Sequence, residues 1–544
     1  MSGSRRVLSV GESALLVECA SLDEVMGLNA RLGVERPAGV VDIVPAARTV
    51  LVVSTDSAVA TSLRPWLATV SVLDLETSPT EPVTIEVVYD GEDLAWVAAH
   101  LGLSDQGVVE WHTTQTWRCA FTGFAPGFAY CVGETANLAV PRRSSPRPLV
   151  PAGSVGLAGE FSAVYPKSSP GGWQLIGRTT ALLWDVERER PALIGPGDQV
   201  RYVAVREIVT VERDDVGHKP KAPAADTLSG PALEIVSPGW QSLIEDQGRP
   251  AMLHMGVSPS GAWDTAAAAA ANAAVGNIPS CPVVETVGPL VVRARGGVTI
   301  AWADRVGVCG PLTLADGEEF SVPAGSWRGY VAVTGGFTVP KTLGSASRDV
   351  LAGLGPLPLS AGDLLPVLMP SQTDDSAVIT GQSQNDCACH DAKSANGNAV
   401  MRAHTTPILP ALPYADICRV SPSEKDTSTP SVMTLTVTLG PRNDWITPQA
   451  LTSFLRQEWE VSPESNRIGV RLEGTPLARV ATAELPSEGT VAGAVELPPS
   501  GLPVILMRDH PVTGGYPVVA VVTDAGVNAL AHATPGTKLR FVAN

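Results

Sequence analysis

Residues 119–179 read CAFTGFAPGFAYCVGETANLAVPRRSSPRPLVPAGSVGLAGEFSAVYPKSSPGGWQLIGRT. Gly-Phe-x-Pro-Gly-Phe, Pro-Arg-Arg, Pro-Ala-Gly-Ser-Val and Pro-Gly-Gly-Trp follow one another with few acids between them. Glycine and proline at this density hold an irregular backbone, which can turn amides toward a ligand or a neighbouring strand. From here to Val205 the segments are short, rich in β-formers and divided by Gly or Pro, which predicts a barrel or sandwich. Arg142, Arg143, Arg147, Lys167 and Arg178 bring positive charge into a chain of formal net charge −17. Guanidinium groups present paired donors to a carboxylate or phosphate. The candidate anion- and substrate-binding residues are therefore Pro126, Gly127, Arg142, Arg143, Gly153, Ser154, Gly171, Gly172, Gln174 and Arg178. The competing readings are a solvated basic turn for the arginines and a close approach of two strands for Gly171-Gly172-Trp173.

The whole chain has 544 residues and 44% hydrophobic content, enough for several cores. A prior of about 150 residues per domain suggests three or four units. An excess of 55 acidic over 38 basic residues argues against nucleic acid or an anionic membrane as the main partner, since both require a clustered basic face. A small metabolite or another protein fits better. Glu12 and Glu18 interrupt the start, which holds no apolar run of signal-peptide length. The alanine-rich run 266–275 is too short for a bilayer, which takes about twenty apolar residues. A cytoplasmic protein without a membrane span is expected, and eight scattered cysteines fit reduced thiols.

Residues 1–80 alternate β-like runs (7–10, 15–18, 50–53) with helical patterns over 22–32 and 57–67, a small α+β module. Residues 81–211 form the first β unit, with helices predicted over 94–101 and 108–117. Residues 212–231 are charged and rich in Pro and Ala and read as a linker. A second β unit spans 232–370, with Asp264 capping a helix of alanines that ends at Gly276. Residues 371–431 read as a polar insertion. The last unit, 432–544, opens a helix with Thr447 as N-cap and Pro448 at its first position, with Leu451, Phe454, Leu455 and Glu458 on one face.

Gly-Gly-aromatic recurs at Gly171-Gly172-Trp173, Gly335-Gly336-Phe337 and Gly514-Gly515-Tyr516. The outer copies also share Ala-Gly-x-Val upstream, at Ala152–Val155 and Ala492–Val495. Three related β-barrel units preceded by an α+β module follow from this spacing. The fold class expected is mainly β.

These motifs carry a close resemblance. Residues 5–206, through GFAPGFAY, PRRSSPRPLVPAGSVGLAG and SPGGWQLIGRT, resemble the KipI type, also known as the B component of 5-oxoprolinase or the first component of allophanate hydrolase. Residues 233–544, through EDQGRP, GVSPSGAWD, LGPRNDWITPQAL, RIGVRLEG and HPVTGGYP, resemble the KipA type, the C component of 5-oxoprolinase or the second component of allophanate hydrolase. Both halves also resemble the carboxyltransferase part of urea carboxylase. The resemblance implies three cyclophilin-like barrels. It implies ATP, with Mg, acting on a lactam or amide together with a separate partner chain of the LamB/YcsF type. Under the carboxyltransferase alternative it implies biotin, and a third alternative is regulation of a histidine kinase. The family's Gly-Gln-Thr-Gly-Ile-Tyr-Pro is Glu160–Pro166 here, and its Asp-Arg-Gln-Thr-Thr is Asp509–Thr513, so substrate identity stays open.

In the second half Asp246, Arg249, Ser260 and Asp264 cluster in glycine-rich turns as pocket candidates, with Asp264 also needed as helix cap. Arg467, Arg471, Arg508, Asp509 and His510 precede Gly514-Gly515-Tyr516. A histidine beside a carboxylate can move a proton near neutral pH, which makes Asp509, His510 and Arg508 the catalytic candidates and the others anion binders. Cys387, Cys389, His390, His404 and Cys418 lack paired zinc-ligand spacing, so no metal is expected. No Walker-type phosphate loop is present in the sequence.

Overall fold

A computed structural model describes residues 4–73, 81–134, 138–143, 145, 147–207, 230–323, 325–368, 432–480 and 485–544. The expected linker, but for its last two residues, the polar insertion and the Cys387–Cys418 group lie outside these residues.

The N-terminal unit is an antiparallel sheet in the order Val7–Val10, Ala14–Glu18, Thr49–Ser54, Val40–Pro45, covered by helices Leu22–Val34 and Ser57–Thr69. Ser21 and Asp56 start these helices by accepting from the amides of Glu24 and Val59. Each cap satisfies one donor that the helix leaves open. Leu15, Val17, Leu28, Leu32, Val50 and Leu67 fill the space between sheet and helices.

The next unit is a seven-stranded sheet running Gln174–Arg178, Ser154–Ala158, Phe161–Val164, Ala129–Gly133, Trp117–Thr122, Gln199–Ala204, Val83–Val87. An isolated bridge between Val88 and Arg178 joins its two ends, so the sheet curls into a barrel. The helix expected over 108–117 runs instead from Asp105 to Thr114, and Trp117 opens a strand. The indole drives this change, since Trp117 is needed in the barrel core beside Val200 and Tyr202.

The third unit faces a four-stranded sheet (Glu319–Ser321, Leu290–Arg295, Ala232–Pro238, Leu364–Pro366) against a five-stranded one (Gln241–Glu245, Val283–Val287, Arg328–Val333, Val298–Asp304, Val308–Leu314). Ile235, Leu290 and Val292 from the first pack on Ile244, Val284 and Val331 from the second. Helix Thr265–Ala274 is capped by Asp264, as expected, through the amides of Ala266 and Ala267.

The last unit is a closed seven-stranded barrel in which Met433–Leu439 pairs in parallel with Lys538–Ala543. The first barrel repeats that device, pairing Val83–Val87 in parallel with Gln199–Ala204. Each outer barrel also carries a two-stranded ribbon holding its Gly-Gly turn: Arg147–Val150 with Ser169–Gly171, and Glu488–Gly489 with Thr513–Gly514. The repeat inferred from the outer copies is thus visible in the fold. Thr447 caps helix Pro448–Arg456, and Glu458, placed on that helix by the periodicity, lies beyond its end.

The N-terminal unit binds the halves together. Val10, Leu16, Val44 and Leu51 pack on Leu506, Val512, Val518 and Val521 of the last barrel. Met26, Ala46 and Ala47 pack on an aromatic face of the first barrel. Among the described residues no helix is long and apolar enough to cross a membrane.

Candidate active site

Three contacts set the Pro141–Arg143 loop. Gln174 donates its side-chain amide to Pro141 O at 3.1 Å, and Arg143 N donates to Gly172 O at 2.8 Å. The guanidinium of Arg142 then reaches across to the last barrel and donates to Ser487 Oγ at 3.1 Å. The rest of the basic run is neutralised from a segment outside the motif. Arg143 and Arg147 pair with Asp93 at 3.0 and 2.8 Å, and Arg178 pairs with Asp90 at 2.8 Å. Lys167 donates to Leu351 O. Arg143 and Arg178, expected to bind a ligand anion, are thus placed in ion pairs with Asp93 and Asp90. Among the described residues, Arg142 is the arginine of this run with no carboxylate partner.

The opposite wall is the second Gly-Gly ribbon. Thr513 Oγ1 accepts from the amide of Phe124, at 2.8 Å, and Phe124 holds the left-handed φ of 61° to deliver it. A non-glycine residue in this region is strained, and such strain gathers at functional sites. Gly515 lies against Arg142: a Cβ added there would come within 2.8 Å of Nη1. Gly514 faces the other way, against the Glu496 carboxyl. Tyr516 is partly exposed at the edge of the turn.

Below lies an aromatic floor in which Phe128 and Trp173 approach at 5.3 Å and Tyr130 and Trp173 at 5.5 Å between ring centroids. Burial raises the Tyr130 pKa, and hydrogen bonding to Thr513 and Ser487 and the charge of Arg142 partly offset it. Tyr130 therefore stays protonated at neutral pH, with an O–H that can donate. A guanidinium and a phenol on a water-poor floor suit a carboxylate and a developing oxyanion. Gly171 and Gly172 shape this wall through Tyr165 and Arg143. Pro126 and Gly127 are buried, and Gly127 takes φ 78°. The carbonyl just before Pro126, that of Ala125, packs against Gly256 of the second half. Gly153 makes a turn at φ 79°, and the buried Ser154 hydroxyl bonds to Pro151 O.

The second-half candidates occupy other places. Asp246 accepts from Gly248 N, Ser345 Oγ, Ala346 N and Ser347 Oγ, which saturates it. Arg249 is buried and donates to Thr342 O and Ser347 O. Asp264 also meets His532 Nε2 at 2.8 Å. Arg467, 2% exposed, sits between Asp509 (3.1 Å), Glu285 (2.8 Å) and Glu245 (3.4 Å). Asp509 accepts in addition from Ser260 Oγ at 2.6 Å and Val350 N at 3.0 Å. Ser260 and Asp509 are therefore parts of a buried lock between the third and last units. The expected Asp509–His510 pair does not form, because the His510 ring turns to Thr490 and Pro511 O. Arg508 donates to Trp263 O and Asn528 Oδ1. Arg471 lies on the surface, 3.8 Å from Glu464.

Sequence reasoning missed Tyr130, Ser487, Thr513 and Glu496. Tyr130 ends GFAPGFAY and Thr513 precedes Gly514-Gly515, so motif position was their available signal. Ser487 and Glu496 carried none.

These features define a two-half β protein whose candidate site forms only where its first and last barrels meet. The chain belongs to the carboxyltransferase domain family: residues 255–543 match its subdomains A and B, and residues 5–194 match its subdomains C and D. It is 51% identical over 128 residues to the B component of 5-oxoprolinase from Escherichia coli O157:H7, a stretch covering 23% of this chain and 59% of that relative. It is 29% identical over 330 residues to the C component of 5-oxoprolinase from Escherichia coli strain K12, covering 57% of this chain and 90% of that protein. Urea amidolyase of Saccharomyces cerevisiae is 28% identical over 57% of this chain and 16% of its own length. The crystal structure of TTHA0988 superposes with a TM-score of 0.74 at 28% identity, covering 97% of this chain and 99% of that one. The chain thus fuses a B-like and a C-like part, and the names of its relatives are those of enzyme subunits.

Proposed function

We propose that this chain is the fused B and C component of an ATP-dependent 5-oxoprolinase that opens 5-oxoproline to glutamate with a LamB/YcsF-type partner chain. The observation that carries the reading is the junction itself. The B-like half supplies Arg142 and Tyr130, the C-like half supplies Ser487 and Thr513, and neither set closes a site alone. In this reading Arg142 holds the substrate carboxylate and Tyr130 donates to the amide oxygen as charge grows there. The lactam is inert until that oxygen is activated, and ATP, with Mg, supplies the phosphoryl group that activates it.

The test is glutamate release from 5-oxoproline, with and without ATP, by this chain alone and mixed with the LamB/YcsF-type partner. ATP-dependent glutamate in the mixture supports the proposal; none under any condition overturns it. The match to carboxyltransferase subdomains and to urea amidolyase favours a second reading, carboxyl transfer from biotin to urea or a related amide. Decarboxylation of carboxybiotin stimulated by an amide would select that reading over the first.

A further inference from the structure

Between the Val10–Ala14 turn of the N-terminal unit and the last barrel lies a cleft of about 420 Å³, apart from the Arg142 junction. His510 lines it and is 1% exposed. Its Nδ1 lies 2.9 Å from Pro511 O and 3.2 Å from Thr490 Oγ1, and the Thr490 hydroxyl also bonds to Pro511 O. A carbonyl oxygen only accepts, so Nδ1 carries the proton and Nε2 keeps the lone pair. Among the described residues the hydrogen bonds of the ring all engage Nδ1, which leaves Nε2 without one in a residue that lines the cleft. Burial lowers the His510 pKa to about 4, so the ring is neutral at physiological pH. A second orphan lines the same space: Thr438 Oγ1 is buried without a partner.

The rim carries the exposed carboxylates of Glu12 and Asp524, with Asp56 beside them as a helix cap. Arg508, whose charge interacts with Asp524, is already held by Trp263 O and Asn528. Leu253 and Val521 supply apolar wall. The cleft therefore offers acceptors and negative charge around a short apolar surface, and its complement is a cation with several N–H donors. We propose that it binds a small aliphatic amine, whose ammonium group donates to His510 Nε2 and Thr438 Oγ1 while Glu12 and Asp524 balance its charge.

The test uses the full chain labelled with ¹⁵N-histidine, titrated at pH 7.5 with n-butylammonium chloride and, separately, with sodium chloride at equal ionic strength. The His510 signal is assigned by its loss in His510→Gln. Expected is a saturable shift of its Nε2 resonance with the amine, and a dissociation constant raised about fivefold or more in Glu12→Gln/Asp524→Asn. Glu12→Gln alone, a change at an exposed turn, gives the same direction should the double variant fold poorly. No saturable shift, an equal shift with sodium chloride, or unchanged affinity in the rim variants overturns the proposal.

Discussion

At the junction the smallest residue has the most specific position. Gly515 lets the Arg142 guanidinium pass, and a methyl group there meets Nη1 at 2.8 Å. The guanidinium is the far end of a flexible side chain, so Gly515→Ala displaces it and is expected to lower activity, though by less than Arg142→Ala does, with thermal stability nearly unchanged. If the steady-state rates of Gly515→Ala and wild type agree, Arg142 is not positioned by that turn. Glu496, 6% exposed, lies behind the same turn, and burial alone raises its pKa from 4.5 to about 8. Between these values the unfolded chain has released a proton that the folded one retains. The folded state binds more protons there, so the stability Glu496 contributes falls as pH rises. Glutamine cannot ionise. Glu496→Gln should thus gain stability over wild type through this window, by up to about 1.4 kcal/mol per pH unit crossed. Urea unfolding at pH 5, 6.5 and 8 measures it, and a pH-independent difference between the two proteins would count against a buried neutral carboxyl.

Among the elements, the junction of the third unit with the last barrel rests on charge. Arg467 faces three buried carboxyl groups, and its removal takes away the cation they share, leaving Glu285 to Arg328 and Asp509 to the Ser260 hydroxyl and the Val350 amide. Arg467→Met is expected to destabilise the fold by about 3–5 kcal/mol. Arg471→Ala, at an exposed pair, should leave the denaturation midpoint unmoved. Equal effects from the two would show that burial does not set the value of these pairs. The same contrast explains what could be read in advance. Asp264 and Thr447 were legible as caps because a cap bonds to amides two or three residues away. The outer barrels were legible because their glycine turns repeat. Nothing near Arg143 or Arg178 in the motif announces Asp93 or Asp90, and nothing near Asp509 announces Ser260, 249 positions earlier. Charge partners chosen by tertiary structure leave no local trace, so the ion pairs of the arginine run with Asp93 and Asp90 could not be read from the motif.

Over the whole molecule the two halves meet through many contacts besides the site. Thr122 Oγ1 donates to His254 O at 2.6 Å, Leu253 N donates to Asp42 Oδ2 at 2.6 Å, and Arg442 of the last barrel pairs with Glu18 of the N-terminal unit. With the apolar contacts of the N-terminal unit, this predicts that a chain cut by a protease site placed between residues 212 and 231 still elutes as one particle. Two separate peaks at micromolar protein would show that the seam cannot hold the halves unaided. What the covalent connection adds is independence from abundance. A junction shared by two separate chains is populated according to the product of their concentrations. Here the facing walls are tethered at an effective concentration on the order of millimolar. Dilution, or uneven synthesis of two products, therefore leaves the number of complete junctions equal to the number of chains.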